Sequence, residues 1–172
     1  MTSNKIPPAP MPQKYSAELV RSDGITLRII IDEPLRRTET HAHGNITISI
    51  VRPDKGIMYS VLPQQSKYMS MPLSPESLSA MTDSNPTDEL WTFECNDTIN
   101  GITVSKYAVF ARDVVDPTGY VHVDTTTGLR LKKVTLNSLG DEVLTVKAVN
   151  VSYEVPPRDC FEPPADYREV KM

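Results

Sequence analysis

His41 and His43 are the side chains whose spacing comes nearest to chemistry. Two residues apart, they share a face if they lie on one strand, and His122 or Asp124 from another strand would complete a metal site. The pair falls at a strand end just before a turn, where solvated histidines are common, and no spacing brings His122 close. No metal is expected. Nucleophilic catalysis has no better footing, since Gly-x-Ser-x-Gly, a Cys with a credible His partner and a helical Ser-x-x-Lys are all missing from suitable contexts. The seven glycines sit singly at turns and form no phosphate-cradling loop. The acidic pairs Asp32-Glu33, Asp88-Glu89 and Asp141-Glu142 also lie at turns, where they read as solubilising punctuation. These residues point away from an enzyme, and no cofactor is expected.

The remaining residues are better suited to filling space. In the run Ile46 to Leu73, ITISIVRPDKGIMYSVLPQQSKYMSMPL, apolar and polar residues alternate with period 2 in three short stretches separated by turn formers. This predicts a three-stranded antiparallel meander. Closing the turns at 53–56 and 63–66 pairs Ile50 with Tyr59, Ile48 with Val61, and Val61 with Tyr68. One face is then Ile46, Ile48, Ile50, Tyr59, Val61 and Tyr68, and the other is mixed and rich in methionine. An apolar face must be covered, either by protein or by a ligand.

Similar signals run along the chain. YSAELVRS and ITLRIIID flank an Asp23-Gly24 turn; LRRTETHA follows as a polar strand expected at a solvated face or sheet edge. After Leu73, SPESLSAM carries an N-cap serine, a proline at the first helical position and an early glutamate. It predicts a short helix whose Leu78 and Met81 face the sheet as a lid or plug. Five more strands follow, the first carrying Trp91 and Phe93 in alternation. Six strands before the helix and five after it make a mainly β fold. Residues 1–14, Pro-rich and without period, read as a disordered tail, and residues 15–172 as a single domain.

A net charge of −4, with basic residues only in pairs, excludes sequence-independent nucleic-acid binding. No run reaches the length of an apolar membrane span, and the N-terminus lacks a leader pattern, so a soluble chain is expected.

RPDKGIMYSVLPQQSKYMSMPL resembles the periplasmic outer-membrane lipoprotein-sorting carriers, the LolA/LolB-like family, and VPPRDCFEPPADYREV is similar to the way such domains close. The resemblance implies one antiparallel sheet of about eleven strands curled into an open half-barrel with a short helical lid. It also implies a periplasmic location and lipid or lipoprotein acyl chains as partners, with a membrane or envelope protein to receive them. The helix that opens such carriers has no counterpart here, and their release-triggering arginine is not placed by any motif. Read this way, Ile46, Ile48, Ile50, Tyr59, Val61, Tyr68, Trp91 and Phe93 line the apolar hollow. Cys95 and Cys160 either form one long-loop bridge suited to an oxidising compartment or remain separate thiols. The alternative function is a structural or interaction domain of an envelope assembly, with its hollow filled by its own side chains.

Overall fold

Period-2 alternation interrupted by turn residues leaves little for this chain to form except strands, and the computed structural model contains twelve. It describes residues 5–76 and 89–171. Before residue 76 come β1 (Lys14–Arg21), β2 (Thr26–Asp32), β3 (Leu35–Ala42), β4 (Asn45–Arg52), β5 (Ile57–Leu62) and β6 (Lys67–Pro72). After residue 88 come β7 (Glu89–Ile99), β8 (Ile102–Ala111), β9 (Gly119–Asp124), β10 (Arg130–Leu136), β11 (Glu142–Ser152) and the two-residue β12 (Arg168–Glu169). They form one sheet in the order β12-β6-β5-β4-β3-β2-β1-β11-β10-β9-β8-β7, which does not close into a barrel. All the described pairings are antiparallel except β12 on β6. The mainly β architecture therefore follows the sequence pattern, with β12 added. The helix expected at 74–81, including Leu78 and Met81, lies largely outside the described residues.

Two-residue turns fix the register. At Asn100-Gly101 both residues have positive φ, 50° and 79°, the conformation whose twist matches that of the flanking strands. His43-Gly44 repeats it, with φ of 52° and 78°. His43 is thus part of a turn and does not extend the strand face of His41.

Chain contacts group the residues into two compact units. One contains, among the described residues, 13–20, 24–76 and 149–171. Its core is Ile30, Leu35, Ile48, Ile50, Val61 and Phe161, with Ile46, Tyr59, Tyr68, Val155, Cys160 and Tyr167 packed against it. The polar strand β3, expected at a solvated face or a sheet edge, runs between β2 and β4 and so is not an edge. Ion pairs along its length make that possible: Arg36 to Glu33 at 2.5 Å, Arg37 to Glu39 at 3.1 Å and His41 to Glu39 at 2.7 Å. These contacts pair the Arg36, Arg37, Glu39 and His41 side chains while Leu35 is buried.

The other unit contains, among the described residues, 5–12, 21–23 and 89–148. Trp91, Val109, Val121 and Val123 form its core, joined by Ala9 and Tyr107. Part of the run expected as a disordered tail is held here. Ile6 and Trp91 exchange two backbone hydrogen bonds of 2.7 and 2.8 Å, and Arg130 donates to the Ala9 carbonyl. Once Ile6 pairs with the strand and Ala9 covers apolar side chains, the run has something to bury.

Candidate functional site

The central meander has the register its alternation predicts: Ile48 opposite Val61, Ile50 opposite Tyr59, and Val61 opposite Tyr68. Of the eight residues expected to line a hollow, the six on β4, β5 and β6 therefore meet in one cluster. Trp91 belongs to the core of the other unit. Phe93, although two residues from Trp91 and edge-on to the same Tyr107 ring, is 51% exposed. The N-terminal run pairs with the strand at Trp91, and no described residue continues that cover over Phe93.

What covers the meander is the C-terminal segment. Phe161, at the end of the 3₁₀ turn Arg158–Phe161, is fully buried against Ile30, Leu35, Ile48, Ile50 and Val61. Arg52, the last residue of β4, is only 8% exposed and clamps the segment. Its guanidinium donates to both Asp54 oxygens at 2.9 and 2.7 Å, to the Phe161 carbonyl at 3.3 Å and to Glu162. Lys55 reaches the same Glu162 oxygen at 2.6 Å. Farther on, β12 pairs with β6, and the Val170 amide donates to the Tyr68 carbonyl at 2.8 Å. The segment is a strap fastened at both ends. Sequence reading missed Arg52 and Phe161 as a pair because 109 positions separate them.

The strap does not fill the space beneath it. An open pocket of about 460 Å³ remains, floored by Ile48, Ile50 and Val61 and walled by Cys160, Pro163, Pro164 and Ala165, with Arg37, Asp159 and Glu162 contributing polar groups. Such a site can take an apolar chain against the sheet and a polar group among the charged side chains.

Cys95 and Cys160 are free thiols, so the structure has the separate cysteines and not the bridge. Cys95 is exposed just after a bulge in β7, whereas Cys160 packs against the strap's cluster. Burial raises the Cys160 thiol above its usual value, opposed by the charge of Arg37. His41 is committed to Glu39, and no three His, Cys, Asp or Glu side chains among the described residues are grouped to hold a metal.

Glu162 makes the strap sensitive to acid. Burial by itself would raise its carboxyl, but the hydrogen bond and charge of Lys55, the charge of Arg52 and the Tyr59 hydroxyl hold it below the usual carboxylate range. A carboxyl lower in the folded than in the unfolded chain stabilises the fold above the unfolded value, and that contribution is lost as pH falls through the folded one. The protection of the 158–162 amides against exchange, corrected for the intrinsic rate and referenced to the β4 amides, should therefore fall on acidification below the ordinary carboxylate range. Glu162→Gln should abolish that step. An identical acid profile in the variant would remove Glu162 as its source.

No family model matches the chain, and no curated protein matches it. Solved structures do. The fold is similar to that of an uncharacterized conserved protein from Thermus thermophilus, at 12% identity over 94% of this chain and 91% of that one, with a TM-score of 0.65. It is also similar to a chain of the Pseudomonas aeruginosa MucA/MucB complex, at 16% identity over 92% of this chain, with a TM-score of 0.60. This chain spans 58% of that second protein. The matches also include a LolA superfamily protein from Nitrosomonas europaea, at 9% identity over 88% of this chain and 91% of that one, TM-score 0.34. At these identities the likeness is one of fold, and no residue role is carried over.

Proposed function

We propose that the chain is a non-enzymatic binding or carrier domain of the periplasm that holds an amphiphile, a lipid or lipoprotein acyl chain, between the β4–β5 face and the C-terminal strap. The observation that carries this reading is the pocket of about 460 Å³, which lies within the range of about 300–1,000 Å³ usual for ligand sites. Its apolar lining, with Pro164 and Ala165 exposed on the strap and Ile48, Ile50 and Val61 behind them, offers shape and dispersion in place of polar selectivity. Each buried methylene contributes about 0.8 kcal/mol, so an acyl chain needs no specific polar contact to be retained. Arg37, Asp159 and Glu162 give a polar head somewhere to lie.

The test is native mass spectrometry of protein purified from its own host, with organic extraction of what dissociates. Ala165 is exposed and lines the pocket, so Ala165→Trp should obstruct it without disturbing the core. Retained lipid should fall about tenfold while stability moves by less than about 0.5 kcal/mol, as for other surface changes. Wild-type protein free of lipid, or a variant that retains as much, would overturn the carrier reading.

A second reading, an interaction domain of an envelope assembly, draws support from Phe161, which fills the cluster with the chain's own side chain. The similar Pseudomonas aeruginosa chain is part of a protein complex. A protein adduct without extractable lipid in the same spectra favours this reading.

A further inference from the structure

A row of basic side chains crosses the unit built on β7 to β10 and the first part of β11. Lys106 on β8 lies opposite His122 on β9, His122 opposite Lys132 on β10, and Lys132 opposite Lys147 on β11. Directly opposed residues of an antiparallel pair project from the same face, about 5 Å apart, and like charges placed so are destabilising. Sequence-local forces do not explain four such groups in register.

His122 is the centre of the row. It is 7% exposed, and its Nδ1 has no hydrogen-bond partner. Thr92 Oγ1 is a second buried polar atom without a partner. Thr92 opposes Ala108, which opposes Tyr120, so it belongs to the adjacent row of the same face. Buried polar atoms are nearly always satisfied, so the bare His122 Nδ1 marks a place where a partner is missing, and Thr92, two strands away on β7, is a separate case. Lys106 leans over β9, its Nζ 4.5 Å from the Tyr120 ring centre and 3.5 Å from Glu94. Lys132 and Lys147 have no ion-pair partner among the described residues. Among the nearby acids Glu94 pairs with Lys106, whereas Asp97 and Asp124 accept from the backbone amides of Thr98 and Thr126, each at 2.8 Å, and form no ion pair with Lys132 or Lys147 among the described residues. Burial lowers the His122 imidazole, and Lys132 and Lys106 push the same way against the weaker pull of Asp97 and Glu94. The local field is cationic.

We infer that Lys106, His122 and Lys132 form a site for a phosphate-type oxyanion, with the two ammonium groups and an Nδ1–H of His122 as its donors. Such an ion supplies the acceptor that His122 lacks and offsets the repulsion within the row, through charge-assisted hydrogen bonds to each lysine. The site is distinct from the pocket under the strap and does not depend on what that pocket holds. Its source is either a soluble phosphate compound or the headgroup of an anionic lipid.

Nitrogen NMR of ¹⁵N-histidine-labelled full chain tests it, because the chain has only three histidines to resolve. Inorganic phosphate, titrated against chloride at matched ionic strength, should shift the His122 Nδ1 resonance saturably and leave His41 and His43 in place. Lys132→Met and Lys106→Met, which keep an apolar side chain of similar length without the charge, should each weaken binding about tenfold. Unchanged fluorescence of Trp91, the single tryptophan and part of the core of the same unit, serves as the check that each variant is folded. Vesicles containing phosphatidate distinguish the sources: flotation by them but not by phosphatidylcholine alone, lost in Lys132→Met, identifies a lipid headgroup. Saturation by phosphate without flotation identifies a soluble compound. No saturable shift at tens of millimolar phosphate, or equal shifts with chloride, overturns the inference.

Discussion

Phe161→Ala should lower stability by about 3–5 kcal/mol, the usual cost of removing a fully buried phenylalanine, and lower Tm by roughly 10 °C. Phe161 has no exposed surface, and five aliphatic side chains from β2, β3, β4 and β5 surround it. Truncation leaves a cavity that a sheet floor cannot close, because its backbone is fixed by the ladder on either side. The loss should be local in a measurable way. Cys160, next in the chain and half-buried, should label with a thiol reagent much faster in the variant, whereas exposed Cys95 supplies a reference that reacts readily in both. Phe161→Leu, which retains most of the volume, should cost less than half as much. A melting temperature within about 2 °C of wild type, together with unchanged Cys160 labelling, would mean that the strap is not anchored through this ring.

Trp91→Ala should cost a similar amount, about 3–5 kcal/mol, in the other unit. Trp91 is 2% exposed. Its Nε1 donates to Glu89 at 2.8 Å, its ring lies 5.1 Å from that of Tyr107, and the Arg130 guanidinium stacks 4.7 Å from its centre. The variant should also release the N-terminal run, seen as loss of protection at the Ile6 amide, because Ala9 would lose the surface against which it packs. Phe93→Ala is the informative contrast. Half-exposed and held chiefly by its edge contact with Tyr107, Phe93 should cost about 1 kcal/mol. Urea denaturation of both variants measures the difference, and equal losses would contradict the burial assigned to the two rings.

That contrast marks the boundary of what is legible in the sequence. Alternation places Trp91 and Phe93 on one strand face, and both rings do touch Tyr107. It carries no information about a cover supplied by residues some 80 positions earlier in the chain. The meander is legible down to individual pairs, because period 2 and the turn positions together leave one register for Ile48, Ile50, Tyr59, Val61 and Tyr68. Strand β3 reads as a solvated face or an edge because it lacks apolar residues, whereas it is an interior strand whose Arg36, Arg37, Glu39 and His41 find partners within or beside it. The strap reads only as a terminal resemblance, with Phe161 unassigned, since nothing local says which distant surface a lone phenylalanine will occupy. The basic row is invisible for a similar reason: Lys106, His122, Lys132 and Lys147 are spread along the sequence, and only strand pairing aligns them.

The distance along the chain between Arg52 and its strap also bears on synthesis. During translation at about 5–20 residues per second, β4 and β5 leave the ribosome several seconds before residue 161 has been polymerised. Throughout that interval the nascent sheet has no ring to seat on Ile48, Ile50 and Val61, and its oily surface is open to chaperones or to neighbouring chains. Truncated polypeptides ending before residue 158 should accordingly associate with one another, and a peptide spanning 155–171 added in trans should suppress that association.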